Sequence, residues 1–361
     1  MYLLLRGFVV ARMPLVKHPS NARIRVTRLG CGGNTDAHKC NRYHILLAMA
    51  TIVDVAKLAG VSTATVSRVF NGQVVSDERV RAVRSAAHEL QYVPNRTARS
   101  LRRRHSEMIA LIFPDVSNPY FTEIARGVED VARAAGYSVV LCNTDGDHAQ
   151  ESEYLRVAAA ANMAGVIIAA ADDESPAPPE GSGPAVVAID RALRGANVDE
   201  IVMDNYEAGF LAARAIEDRG PLVVLTGSEA VGTARDRARG AVDAGAVEVI
   251  HADFGVEGGR RHALELLDRA ERPGGIVAGN NLLGVGVLQA MASRNLTTRD
   301  IAVSVIGALP FTTLHPQAVP IVHLPSRRMG ELAAERMLRR ISGDAGGLER
   351  VVLRGELRDA V

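Results

Sequence analysis

Cysteine is scarce in this chain. Cys31, Cys40 and Cys142 are the three present in 361 residues, too few for a disulfide framework, and they suit a reducing cytoplasm. No run approaches the ~18 apolar residues of a membrane span. The opening MYLLLRGFVV has too short an apolar core for a signal peptide and lacks a small-residue cleavage site. Sequence marks of common chemistries are missing too: there is no P-loop, no Gly-x-Gly-x-x-Gly after a strand, no Gly-x-Ser-x-Gly elbow and no His-Glu-x-x-His. Asp and His are scattered rather than spaced for a dyad or a metal, so neither an enzyme nor a cofactor is expected. Charge of one sign is not in excess overall, the net being +1.

What is present is an ordinary globular composition, 47% hydrophobic and 23% charged, in a chain long enough for two or three domains. The charge is unevenly placed. Between Ala50 and Ser106 stand ten Lys/Arg (Lys57, Arg68, Arg79, Arg81, Arg84, Arg96, Arg99, Arg102, Arg103, Arg104) against Asp54, Asp77, Glu78 and Glu89, a local excess of six positive charges. That is the footprint of a phosphate-binding module, although a solvated basic face has the same charge count. Residues 1–48 carry no periodicity and hold eight Lys/Arg against Asp36, and the organised run MATIVDVAKLAGVS opens at Met49. Met49 is therefore expected to be the initiator, with 1–48 an upstream extension or a disordered tail. A zinc site from Cys31, His38, Cys40 and His44 matches no common four-ligand spacing.

In Ile52, Val55, Ala56 and Ala59 the apolar positions recur at the spacing of one helix face, with Thr51 as N-cap. Gly60 ends that helix in the left-handed conformation. Ser62 then caps a second helix, Thr63 to about Phe70, with Val66 and Val69 inward and Asn71-Gly72 closing it. Two short helices about a tight glycine turn form a helix-turn-helix, whose second helix enters the major groove N-terminus first. Thr63 and Ala64 stand on its first exposed turn, Thr65 and Ser67 offer hydroxyls to phosphates, and Arg68 has the reach for a guanine. A third helix is expected behind the Ser76 cap, with Val80, Val83, Ala87 and Leu90 inward. These helices alone also fit an ordinary three-helix cluster. The following YVPNRTARSLRRR favours the DNA reading: Pro94 forces a break, Asn95 can cap a short basic helix, and Leu101 beside Ala98 suits a wedge into a minor-groove step.

TIVDVAKLAGVSTATVSRVFNG, VSDERVRAV and YVPNRTARSL, in order over about 50 residues, closely resemble the headpiece and hinge helix of the lactose/galactose-repressor (LacI/GalR) family. Family proteins start just before the equivalent of Thr51, in keeping with Met49 as initiator. The resemblance implies that Thr63, Ala64 and Arg68 read bases. It makes Ser62, Thr65, Ser67, Asn71 and Ser76 phosphate contacts, with Thr51 also in the DNA-binding set. Leu101 becomes the intercalating hinge leucine, with Ala98 and Asn95 beside it. Its implied partner is a pseudo-palindromic double-stranded operator bound by a homodimer.

From Met108 onward, short apolar runs alternate with helical patterns. Ile109–Phe113, Ser138–Cys142, Gly165–Ala169, Ala185–Ile189, Leu222–Thr226, Val247–Ala252, Gly275–Ala278 and Ile301–Ile306 read as buried parallel strands. Phe121–Ala135, Tyr206–Asp218 and Gly258–Arg269 read as helices. Such alternation predicts doubly wound α/β sheets with ligands at the carboxyl ends of strands, here two sheets about a cleft. PDVSNPYFTEIARGVEDVARAAGY, VVAIDRAL, VMDNYEAG, TARDRARG, DFGVEGG and GNNLLGVGVLQAM resemble the family's effector domain, which is similar to periplasmic sugar-binding proteins. The fold implied is a helix-turn-helix headpiece (49–93), a hinge helix and linker (94–106) and a two-subdomain, periplasmic-binding-protein-like α/β effector domain (107–361). Its first subdomain is expected to comprise about 107–204 with 308–324, and its second about 205–307 with 325–361.

By position, the resemblance makes Tyr120, Phe121, Asp190, Arg191, Asp204, Thr233, Arg237, Phe254 and Asn281 the effector-binding residues. Carboxylates and amides bind hydroxyls in pairs and Arg237 adds a planar fork, so a sugar or sugar derivative is the expected effector. Taken singly, Asp190 or Asp204 also fits a strand-end cap, and Phe121 or Phe254 ordinary core. The chain departs from the family in several places. Asn281 stands where many members have Asp, and Gly307-Ala308-Leu309-Pro310 replaces Gly-Phe-Asp-Asp. Ala171–Pro184 is Pro-rich where a helix is expected, and Arg219–Asp253 is shortened.

The function implied is that of a cytoplasmic, nucleoid-associated transcriptional repressor whose hinges fold on DNA under control of the cleft. A sugar-transport protein would share the cleft but needs export and has no use for a headpiece. The chain lacks leucine heptads near Val361, so a dimer is expected rather than a tetramer.

Overall fold

A computed structural model describes residues 50–70, 73–92, 106–175, 183–193, 195–309 and 319–358. The chain forms two compact units that divide after Asn95. Asn71, Asn95, Ala98, Leu101 and the zinc candidates Cys31, His38, Cys40 and His44 lie outside the described residues. Among the described residues no helix is long and apolar enough to cross a membrane.

The first unit contains α1 (Ile52–Leu58), α2 (Thr63–Phe70) and α3 (Asp77–Glu89). Thr51 and Asp54 form a reciprocal capping box at the start of α1. Its end is a Schellman turn: Gly60 has φ +64°, Val61 N–H donates to Ala56 O at 3.0 Å and Gly60 N–H to Lys57 O at 3.4 Å. Ser62 caps α2, its hydroxyl accepting from Thr65 N–H at 3.2 Å. Val55, Ala56, Val66, Val69, Val83, Ala86 and Ala87 make the core, and Phe70 meets Tyr92 with ring centroids 5.8 Å apart. One expectation for α3 needs correcting: Ser76 occupies the N-cap position without a side-chain capping bond. The expected inner stripe is present, with Val83 and Ala87 buried, Val80 and Leu90 half-buried against the core, and Ala86 added to it.

The second unit holds two six-stranded sheets. The first contains β1 (Met108–Phe113), β2 (Ser138–Asn143), β3 (Gly165–Ile168), β4 (Ala185–Asp190), β5 (Asp199–Met203) and β11 (Arg350–Leu353), in the order β11-β5-β4-β3-β1-β2 and wholly parallel. The second contains β6 (Leu222–Thr226), β7 (Ala246–His251), β8 (Gly275–Ala278), β9 (Ala302–Ile306), β10 (Ile321–His323) and β12 (Glu356–Arg358), in the order β12-β10-β9-β8-β6-β7, with only β12 antiparallel. Helices α4 (Pro119–Ala134), α5 (His148–Ala160), α6 (Asn205–Arg214), α7 (Gly232–Asp243), α8 (Val256–Leu267), α9 (Asn281–Ser293) and α10 (Ser326–Ile341) cover them.

Continuous apolar runs suit strands covered on both faces, because alternate residues supply opposite cores. Ile109, Leu111 and Phe113 join α4 and α10 in one core, while Ala110 and Ile112 face another. Leu222 and Val224 likewise face α6 and α7, and Val223 and Leu225 face α8 and α9. Three helix pairs cross at reciprocal glycines. A Cβ on Gly127 would stand 2.2 Å from Arg327 O and one on Gly330 2.1 Å from Ile124 O, while Gly209 with Gly240 and Gly259 with Gly286 do the same for α6–α7 and α8–α9.

The assignment of the returning chain is reversed from expectation. Residues 308–324 were expected in the first subdomain and 325–361 in the second, yet β10 pairs in the second sheet while α10 and β11 belong to the first. Met329, Ala333, Ala334 and Met337 make an apolar face that suits either sheet, and long-range packing decides which one it covers. The chain thus passes between sheets after β5, β10 and β11. Among the described residues after β10, β12 alone lies in the second sheet.

Candidate functional site

Two surfaces emerge, one in each unit. In the first, Val66 and Val69 turn α2 onto its neighbours, which leaves Thr63, Ala64 and Arg68 exposed and Thr65 and Ser67 half-buried. Lys57, Arg79, Arg81 and Arg84 are exposed as well, so the basic side chains of this unit among the described residues face solvent, where phosphates can reach them. Ser62 and Thr65 have their hydroxyls 3.0 Å apart. Thr51 spends its side chain on the capping box, its hydroxyl donating to Asp54 Oδ2 at 2.6 Å. The same bond, with one from the Thr51 backbone, holds the Asp54 carboxyl below its ordinary range.

In the second unit, a cavity of about 220 Å³ opens between the two sheets. Of the nine effector residues expected, eight line it: Tyr120, Phe121, Asp190, Arg191, Thr233, Arg237, Phe254 and Asn281. Asp204 does not. It is the N-cap of α6, its Oδ1 accepting from Glu207 N–H at 3.0 Å, which is the strand-end cap that its position after β5 also allowed.

Each lining side chain is aimed by local structure. Asn118 caps α4 and Pro119 opens it, so Tyr120 and Phe121 fall in the first turn facing the cleft. β4 ends in a γ-turn: Asp190 has φ +61°, and Arg191 N–H donates to Ile189 O at 2.6 Å. This conformation costs a non-glycine residue roughly 1–3 kcal/mol, and it places two consecutive side chains at the site. Tyr120 donates its hydroxyl to Asp190 Oδ1 at 2.8 Å. Burial, and then the neighbouring Asp190 carboxylate, push the Tyr120 phenol well above its ordinary range, so it remains a donor. Arg191 donates to the carbonyls of Ala170 and Ala171 and lies 5.9 Å over the Phe254 ring. That ring leaves no room for a side chain at Gly227.

From the second sheet, Arg237 donates to Asn205 Oδ1 at 2.9 Å and to Gly279 O at 2.8 Å. Burial pulls its guanidinium below its ordinary value against the opposing field of Asp190. Asn280 caps α9 and donates to Phe254 O at 2.9 Å, and Asn281 Nδ2 reaches Asn118 Oδ1 at 3.1 Å. Asn281 Oδ1 and Arg191 Nε are buried without a hydrogen-bond partner. Paired acceptors, forked donors and aromatic faces around a small space are what a compact, hydroxyl-rich ligand requires. Among the described residues no three His, Cys, Asp or Glu converge to hold a metal.

Sequence reasoning did not single out Asn118, Asn205, Asp145 or Asn280. The Asn118-Pro119 pair is a helix-start signal that could have marked the first of them. Asn205 supports Arg237 from a distant segment and carries no local signal.

The family model described as bacterial regulatory proteins, lacI family, matches residues 51–95. The model of periplasmic binding proteins and sugar binding domain of LacI family matches 106–354. The ribose operon repressor of Bacillus subtilis (strain 168) is 35% identical over 303 residues, covering 80% of this chain and 91% of that protein. The HTH-type transcriptional repressor PurR of Pectobacterium atrosepticum is 32% identical over 314 residues, covering 81% and 91%. Among solved structures, the lac repressor dimer bound to operator and the anti-inducer ONPF superposes with a TM-score of 0.75 at 22% identity, covering 85% of this chain and 97% of that one. The transcriptional regulator CelR–cellobiose complex superposes with a TM-score of 0.62 at 26% identity, covering 86% and 98%.

Proposed function

The chain belongs to the lacI family of bacterial regulatory proteins, and from that premise we propose that it represses transcription as a homodimer on a pseudo-palindromic operator under control of a small sugar in its cleft. Family members are DNA-binding transcriptional regulators rather than enzymes. In this reading Thr63, Ala64 and Arg68 meet base edges, and Ser62, Thr65, Ser67, Asn71 and Ser76 meet phosphates. Leu101, with Asn95 and Ala98, opens a minor-groove step. Thr51 contributes by fixing the entry of α1. Nucleoid association in the cytoplasm follows from the target.

The observation that carries the effector half is the cavity, where Tyr120, Asp190 and Arg191 from one sheet face Thr233, Arg237 and Asn281 from the other. A ligand bridging these groups binds the closed cleft better than an open one, and that difference is what shifts a two-state equilibrium. Asp115, Asp145 and Asp190 outnumber Arg191 and Arg237 in the lining, which favours a neutral polyol over an anion.

Mobility shift of the full chain on the promoter of a neighbouring gene, at stated salt and with or without a panel of monosaccharides, tests both halves. A specific complex on a palindrome, altered by one sugar, is expected. No specific complex on any such palindrome would overturn the operator reading, and no response to any sugar would overturn the effector reading.

A further inference from the structure

We propose that Asp173 is the latch of the cleft, a positioning residue that holds the effector cavity closed from outside its lining; this rests on the effector reading above. Asp173 follows β3 of the first sheet, yet its side chain engages α7 of the second. Helix α7 begins without a cap of its own, because the residue at that position is Val231 and no side chain from there accepts a bond. Asp173 supplies the missing carboxylate across the cleft. Its Oδ1 accepts from Gly232 N–H at 3.0 Å, and its Oδ2 pairs with Arg235. Its own N–H donates to Ala230 O at 3.4 Å. The absence of a side chain on Gly232 admits the carboxylate, since a Cβ there would stand 2.9 Å from Oδ1. An acid at the first turn of a helix satisfies an orphan N–H and meets the positive end of the dipole.

The near end of the latch is equally fixed. Glu151, fully buried, accepts from Ala171 N–H at 2.7 Å, and His148 Nε2 lies 2.9 Å from Asp172 Oδ2. Arg191 donates to the carbonyls of Ala170 and Ala171. The segment is therefore a bracket seated on the first sheet's side and hooked onto the helix that brings Thr233 and Arg237 to the cavity. Arg191 belongs to both systems: it lines the cavity and it holds the two carbonyls on which the bracket rests. A ligand that engages Arg191 acts on the latch, and the latch raises the population of the form that binds the ligand.

Hydrogen exchange by mass spectrometry on the full-length chain without ligand tests this. In Asp173→Ala, exchange at the first turn of α7 (232–235) is expected to rise about 5-fold, the equivalent of the ~1 kcal/mol that an N-cap supplies. Asp173→Asn keeps an acceptor for Gly232 and should restore most of the protection. Gly232→Ala keeps every charge but displaces the carboxylate, and should resemble Asp173→Ala. Peptides of β1 and α4 should not change in any variant. Unchanged exchange at 232–235, or an equal rise throughout the unit, would overturn the latch. Sugar titration of the wild-type chain is a separate readout, so failure of the effector reading and failure of the latch are told apart.

Discussion

Asn281 donates its side-chain amide to Asn118 Oδ1 at 3.1 Å, joining the cap of α4 under the first sheet to the first turn of α9 under the second. Asn118 Oδ1 is shared, because it also accepts from Tyr120 N–H at 3.0 Å. The bond ties the helix cap that aims Tyr120 to the opposite wall of the cavity.

Asn281→Ala should therefore cost about 1 kcal/mol in urea unfolding of the full chain, the net worth of one such bond. Asn281→Asp turns a donor into a second acceptor against Asn118 Oδ1 and buries a charge, so its cost should be larger, about 2–3 kcal/mol. Equal costs for the two variants would contradict the bond.

Gly209 governs the other wall. Its absent Cβ would lie 2.0 Å from Arg237 O, which is backbone and moves only with α7. Gly209→Ala should destabilise the chain by about 1–3 kcal/mol through overpacking. It should also separate Arg237 from Asn205, lowering the affinity of any sugar that binds wild type. Calorimetric titration beside thermal unfolding checks both outcomes.

Asp199 links β5 to α10. Its carboxylate meets Arg340 Nε at 2.7 Å and Arg336 at 2.9 Å and accepts from Glu349 N–H at 2.9 Å. Burial alone would raise its pKa, but the bonds from Arg340 and Arg336 bring it down to about 2. A folded-state value below the unfolded one stabilises the protein above about pH 4, and that contribution fades as pH falls through about 2. It amounts to about 2–3 kcal/mol. Asp199→Asn should lose at least this much at neutral pH and show a flatter stability profile between pH 4 and 2.

Arg68, exposed on α2, should behave as a base reader. Arg68→Ala is expected to cost about 1–3 kcal/mol of operator affinity and to relax preference at one base position. A loss uniform across all sequences, measured by binding to a randomised operator library, would assign it to phosphate instead.

The sequence by itself determined the features written in short-range chemistry. The Thr51 cap, the Gly60 turn and the Val66/Val69 stripe each depend on residues within four positions, so periodicity and capping preferences predict them. The central strands β1, β3, β4, β6, β8 and β9 were legible for the same reason, as apolar runs bounded by turn residues. By contrast β2 and β7, expected to be buried, are half-exposed edge strands, and the buried β5 was not read as a strand. The eight cavity residues were placed by resemblance, and Asp204, the ninth, lies outside the lining because a carboxylate after a strand can cap the next helix as readily as it can meet a ligand. Tertiary structure alone decided which sheet received β10, α10 and β11, since three- and four-residue strands carry no record of their partners. It alone brought Asn118 to Asn281, Asn205 to Arg237 and Asp173 to the uncapped end of α7. Those pairs are far apart in the chain, and their energies exist only once the helices that carry them have packed, α6 against α7 on the second sheet and the segments of the first sheet against α7 and α9 across the cleft.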